Sequence, residues 1–230
     1  MVTARTVDWG QGEAGREGLR ERKKRLLRQQ LSDTATEMFL ERGFDAFRVT
    51  EVAAACGVSE KTVYNYFPTK ESLVLDRDDA TMAALRAGLA DPSVPPVEAT
   101  LRILDGQLRT MMAWLADQED FARAGAAMLR FGRLIRATPS LRAHQRDMTD
   151  RLVEAVAEML AGRSGLSADA PEPQIAGTAL IGLWDVHARS LQRHLDGGRS
   201  PGEITLAVTE DVHRAGRLLE AGLGQLATPR

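Results

Sequence analysis

The chain has a single cysteine, Cys56, in 230 residues. A lone thiol closes no internal disulfide and supplies no thiolate cluster, which fits a reducing compartment. Nor is there an apolar run approaching the roughly 18–20 residues that span a bilayer. Mean hydropathy is −0.25, so no membrane segment is expected. The opening MVTARTVDWGQGEAGREG lacks the apolar core and cleavage site of a secretory signal, and the expected location is the cytoplasm. Period-two alternation long enough for a sheet is missing, as are internal repeats. So are a G-x-S-x-G elbow, H-E-x-x-H, a Walker loop and G-x-G-x-x-G. No catalytic residue is assigned, no cofactor is expected, and the chain reads as a non-enzyme. Aromatic residues are scarce at 5%, and both tyrosines fall within one stretch, GVSEKTVYNYFPTK, Gly57 to Lys70.

An overall excess of positive charge is lacking too, since the formal net charge is −2. Its distribution is uneven. Arg16 to Lys70 holds eleven Lys/Arg against eight Asp/Glu, and the remainder to Arg230 holds eighteen against twenty-two. The most basic run, REGLRERKKRLLR (Arg16 to Arg28), has seven basic and two acidic residues. Alone, it is equally well explained as a solvated helix face.

What is present is helical period almost throughout. Residues 1–18 are Gly-rich, polar and aperiodic and read as a disordered arm carrying Trp9. Leu27, Leu31, Ala35 and Met38/Phe39 then recur at three and four residues, with Gly43 as a stop, which predicts a helix over 20–42. Short helices over 49–56 and 60–66 follow, then one over 70–90 after Pro68 and Thr69. Longer amphipathic helices are expected at 97–117, 119–136, 140–162, 173–195 and 202–225. The fold class is all-α.

The two short helices fit a helix-turn-helix. Gly57 takes the turn, where a positive φ is often required, and Ala53 sits one helical turn earlier, where two helices touch only through a small side chain. Val52, Cys56, Val58, Val63 and Phe67 would form the shared core, with Cys56 a buried apolar residue. Ser59 is placed to cap the second helix, a role compatible with a phosphate contact. At about 100° per residue, Val63 and Phe67 point inward, while Lys61 and Asn65 point outward, flanked by Thr62 and Tyr64. A cation, an amide, a hydroxyl and a phenol on one face suit phosphate oxygens and base edges in a major groove. Asn65 in particular suits a bidentate contact to adenine. Tyr66 lies at the edge, and both a core and an operator role are open to it.

Residues 26–75, LLRQQLSDTATEMFLERGFDAFRVTEVAAACGVSEKTVYNYFPTKESLVL, resemble the DNA-binding domain of TetR-family transcriptional regulators. The resemblance is carried by the GF before the second helix, the turn AACGVS, the sequence TVYNYF and the closing PTKESL. It implies that Thr62, Tyr64, Tyr66 and Lys70 contact the operator, mostly at phosphates, with Glu60, Lys61 and Asn65 reading bases. It also turns the basic run into an expected backbone contact through Arg22, Lys23, Lys24 and Arg25. Three positions depart from the family pattern. Phe47 and Arg48 stand where a pair of threonines is common, leaving Arg48 or Thr50 to replace the missing hydroxyl, and Lys61 stands where glycine or proline is common.

The same resemblance divides the chain into the arm (1–18), a helix-turn-helix domain (19–69) and a helical ligand-binding and dimerisation domain (70–226). It implies a homodimer formed through the last two helices, a palindromic double-stranded operator and a small-molecule effector that releases a repressor. Met111, Trp114, Phe121, Met128, Phe131 and His144, with Trp184 and His187, are candidates to line the effector site, although aromatics and methionines at helical spacing are more often plain core. His187 and His194 share a helix face, but no third ligand is placed, so no metal is assigned. The competing reading, a helical small-molecule-binding protein without DNA-binding activity, leaves the outward polar face at 61–65 unexplained.

Overall fold

The computed structural model describes residues 18–75 and 78–223, and every regular element among them is a helix. In chain order these are α1 (Leu19–Arg42), α2 (Val49–Ala55), α3 (Glu60–Tyr66), α4 (Lys70–Val74), α5 (Asp78–Leu89), α6 (Pro96–Ala116), α7 (Phe121–Ala137), α8 (Pro139–Ser164), α9 (Pro171–Leu195) and α10 (Pro201–Leu223). The expected arm, apart from Gly18, lies outside the described residues. The helix expected over 70–90 is interrupted: Leu75 leaves the helical region at φ −112°, ψ 55°. The two pieces serve different cores, since Leu73 and Val74 belong to the first compact unit described below and Leu85 and Leu89 are buried in the second.

Among the described residues, one compact unit comprises those up to Asp78 together with Arg130–Gln145. It therefore includes α4 and a later segment, where the sequence suggested a boundary after residue 69. Its core joins Leu31, Ala35 and Phe39 of α1, Val52 and Ala53 of α2, Val63 and Phe67 around α3, and Leu73 and Val74 of α4, with Ile135 and Leu141 from the later segment. Four phenylalanine rings cross it edge to face. Centroid separations are 5.6 Å for Phe131–Phe39, 6.2 Å for Phe39–Phe44 and 5.7 Å for Phe44–Phe47, within the spacing aromatic pairs favour. Phe47 is fully buried, which accounts for an aromatic residue where the family pattern has a hydroxyl.

The second unit comprises Asp79–Leu129 and Arg146–Arg230, and in it α6, α9 and α10 pack against one another. Gly177 of α9 is required by proximity: a Cβ there would lie 2.9 Å from the Val153 carbonyl oxygen and 3.2 Å from the Ala157 nitrogen of α8. Asp211 of α10 fastens α9, accepting from Ser190 at 2.7 Å and Arg193 at 2.7 Å, with His194 at 3.4 Å. Arg163 of α8 spans the turn after α5, donating to the carbonyls of Leu89, Pro92 and Val94 at 3.3, 3.2 and 2.6 Å.

Candidate nucleic-acid interface

Why α2 and α3 meet at a fixed angle follows from the turn. Gly57 adopts φ +68°, while nothing lies within 4 Å of where its Cβ would be. Backbone conformation, not space, demands glycine there. The Val58 N–H returns to the Ala53 carbonyl at 3.0 Å, closing the turn beneath the small residue. Cys56 ends α2 and is half-buried, where full burial was expected. Its Sγ lies 3.4 Å from Thr34 Oγ1 and 3.8 Å from the Gln30 carbonyl on α1, so α1 covers one side and the open helix end leaves the other partly accessible.

Ser59 then starts α3 by accepting the Thr62 N–H at 3.1 Å, and the two hydroxyls lie 2.8 Å apart. Such a cap is worth about 1 kcal/mol. Val63 and Phe67 are 0% exposed. Facing away from them, Glu60, Lys61, Tyr64 and Asn65 are all exposed, Tyr64 to 44%. With the inward positions anchored in a rigid core, the outward ones are presented in a fixed orientation. Tyr66 is half-buried and packs against the core cluster, so its ring contributes to packing.

Arg28 was not singled out in the sequence, yet it joins α1 to the end of α3. Its guanidinium donates to the Tyr66 carbonyl at 3.2 Å and lies 4.7 Å from the Phe67 ring centroid. The available signal was its place one turn before Leu31, on the inward side of α1. Lys70 likewise has an internal task. Its Nζ donates to the Phe44 carbonyl at 2.5 Å and sits 4.6 and 4.3 Å from the centroids of Phe44 and Phe47. Burial lowers its pKa from the ordinary lysine value, with Asp45, Glu71 and Glu51 acting the other way.

At the start of α2, Arg48 and Thr50 are exposed. The Arg48 backbone N–H is satisfied by Glu51 Oε2 at 2.7 Å, and Glu51 Oε1 accepts from Arg42 at 2.8 Å. The hydrogen bond from Arg42, then that from the Arg48 N–H, holds the Glu51 carboxyl below its usual range. Glu51 thus supplies one half of a capping box, satisfying the N–H of residue 48, while the half a threonine hydroxyl would supply by accepting a first-turn N–H is not replaced by it, and Arg48 stays exposed. Arg22, Lys23 and Lys24 are exposed in the first turns of α1, on a helix and not on an extended arm.

The eight candidate effector-site residues fall into two groups. Phe131 and His144 belong to the first unit, where Phe131 packs on Phe39. Met111, Trp114, Phe121, Met128, Trp184 and His187 belong to the second. There the Trp184 indole N–H donates to Gln107 Oε1 at 3.1 Å, while the buried Trp114 Nε1 has no hydrogen-bond partner among the described residues. A surface recess bordered by Arg86, Leu89, Pro92, Met159 and Arg163 includes none of the eight. No grouping of three or more metal-ligating side chains occurs among the described residues.

A glycine-turned pair of short helices, the second carrying an exposed polar face over a buried apolar one, defines a helix-turn-helix protein. Family comparison makes this specific. Residues 31–76 match bacterial regulatory proteins of the TetR family, and residues 108–224 match the MftR C-terminal domain. The chain belongs to the TetR family of DNA-binding transcriptional regulators. It is similar to the HTH-type transcriptional regulator TcmR of Streptomyces glaucescens, with 31% identity over 156 residues, covering 66% of each chain, just under two thirds. Similarity to MftR of Mycobacterium tuberculosis is 26% over 197 residues, covering 85% of this chain and 90% of that one. A solved tetR-family transcriptional regulator from Streptomyces coelicolor aligns over 92% of this chain and 88% of its own at 21% identity, with a TM-score of 0.40. Among the described residues no helix is long and apolar enough to cross a membrane.

Proposed function

We propose that the protein is a cytoplasmic, homodimeric repressor, not an enzyme, that leaves a palindromic operator when a small, largely apolar effector binds its second unit. The observation that carries this reading is the division of α3 into fully buried Val63 and Phe67 and exposed Lys61, Tyr64 and Asn65. In it, Lys61 and Asn65, with Glu60, read base edges in the major groove. Ser59, Thr62, Tyr64, Arg48 and Thr50 hold phosphates, as do Arg22, Lys23 and Lys24. Tyr66 and Lys70 act mainly by fixing the end of α3 and the start of α4.

Homodimerisation is supported by apolar side chains left outside on the last two helices: Ile175 is 62% exposed, Leu206 71% and Leu218 74%. Gly182, two turns after Ile175 on the same face of α9, has open space where a Cβ would be. A single recognition helix reads only a half-site, so two-fold symmetry in the protein calls for a palindrome. For the effector, Met111, Trp114, Phe121, Met128, Trp184 and His187 supply an apolar lining with polar tips. The unpaired Trp114 N–H favours a ligand bearing a hydrogen-bond acceptor.

Selection of operators from random duplex DNA tests this reading. It should yield an inverted repeat, and Asn65→Ala should reorder the preferred sequences while Tyr64→Phe weakens binding to all of them alike. Failure to enrich any sequence would sink the regulator reading. An unchanged ranking with Asn65→Ala would remove that residue from base reading.

A further inference from the structure

The segment Arg130–Gln145, which belongs to the same compact unit as the helix-turn-helix, contains Arg130, Arg133, Arg136 and Arg142 and no aspartate or glutamate. All four arginines are exposed, and none forms an ion pair among the described residues. We propose that these arginines form a second phosphate-contacting surface of the DNA-binding unit, engaging the duplex backbone outside the contacts made by α2 and α3. The proposal extends the DNA-binding reading and rests on it.

Three observations carry it. The arginines are directed away from the core. Taking Arg130 as origin on α7 at about 100° per residue, Leu134, Phe131 and Ile135 cluster at roughly 40°, 100° and 140°, and Arg133 and Arg136 fall near 300° and 240°. The last two therefore straddle the pole opposite the apolar stripe that fastens the segment to the helix-turn-helix core.

Helix stability does not account for the set. Arg136 lies in the last turn of α7, where a cation is favoured by the helix dipole. Arg142 lies four residues into α8, close to the positive end of that dipole, where a cation is disfavoured. Four like charges without a carboxylate among them raise the energy of the isolated unit and are relieved by a polyanion.

The segment is also held in the same core as the elements already assigned to phosphate. The edge-to-face series Phe131, Phe39, Phe44 and Phe47 runs from the anchor of the segment to the residue immediately before Arg48. The segment is therefore fixed in the packed aromatic core on which the start of α2 also rests.

The test measures affinity for a generic duplex and for the selected operator between 50 and 200 mM salt, using the full chain. Each lost phosphate contact lowers the slope of log K against log salt by about 0.9. Arg133→Gln with Arg136→Gln removes two contacts from each protomer and four from the proposed dimer, so it should lower the slope by about 3.6, on both duplexes alike, and lose roughly a hundredfold less affinity across that salt range. Arg133→Lys with Arg136→Lys should keep the wild-type slope. Because both side chains are exposed and unpaired, the thermal unfolding of each variant should match wild type. A glutamine variant with unchanged slope, alongside a Lys61→Ala control whose slope falls, would overturn the proposal and leave the regulator reading intact. If wild type binds neither duplex, both readings fall.

Discussion

Two lysines at the edge of the same interface have different physical duties, and the difference is measurable. Lys61 is exposed on α3, so its charge is available to phosphate or base without cost to the fold. Lys70 is half-buried, bonded to the Phe44 carbonyl and seated on two rings. Removing it takes away a charge-assisted hydrogen bond and two cation–π contacts. Lys70→Ala should cost about 1.5–3 kcal/mol of stability, read as an earlier denaturant midpoint, and should weaken DNA binding indirectly. Lys61→Ala should leave the midpoint unchanged and reduce the salt slope of the proposed dimer by about 1.8, one contact being lost from each protomer. Equal stability of the two variants would show that the Lys70 contacts contribute nothing. The resemblance points both residues toward DNA, and it reports position and charge but not which carbonyl or ring an ammonium also meets.

Among elements, much of the helical order was legible because each helix has its own punctuation: Gly43 after α1, Gly57 in the turn, Ser59 before α3 and Pro201 opening α10. The break at Leu75 was not legible, since LVLDRDD carries neither glycine nor proline and the apolar period continues past it. Nor was the inclusion of Arg130–Gln145 in the first unit, because Phe131, Ile135 and Leu141 have the same period whichever core they enter. The close approach of α8 and α9 was not legible, because a glycine within a helix of apolar period does not identify the helix it meets. Gly177→Ala places a methyl against backbone atoms that cannot rotate aside, so it should destabilise the second unit by about 1–3 kcal/mol. The Gly216 position differs, because the nearest atoms belong to the Leu101 side chain, which can turn. Similar melting shifts for Gly177→Ala and Gly216→Ala would refute the distinction.

The α9–α10 contact also has a pH signature. The hydrogen bond from Ser190 is the largest influence lowering the pKa of Asp211; burial opposes it, and Arg193, Arg214 and His194 add to the lowering. Because the folded pKa lies below the unfolded value near 3.9, the contribution of this carboxylate is complete above about pH 4. It is lost as pH falls toward the folded value. Asp211→Asn should therefore cost about 1.5–3 kcal/mol at pH 7 and progressively less in acid, where wild type also gives up the charge. Urea unfolding at pH 7 and pH 3 would check the sign. A larger difference at pH 3 than at pH 7 would contradict it.

For the whole molecule, specificity and affinity depend on how many copies act together. A short helix with few outward side chains reads only a handful of base pairs, and each good bidentate contact discriminates by about 1–3 kcal/mol. One half-site is therefore a weak address, while two held one helical turn apart, about 34–36 Å, combine their readings. Ile175, Leu206 and Leu218 are large apolar side chains left at the surface of α9 and α10, and burying such side chains contributes about 1.5–3 kcal/mol apiece. Leu206→Arg with Leu218→Arg should convert the proposed dimer to monomers by sedimentation, because charge would have to be buried at a two-fold contact that meets each substitution twice. The folded monomer should keep the helical circular dichroism of wild type and its residual affinity for a single half-site. It should lose the added affinity of the full inverted repeat and become indifferent to insertion of half a helical turn between the half-sites. A variant that stays dimeric, or one that is monomeric yet still prefers the intact repeat, would exclude these side chains as the source of two-site recognition.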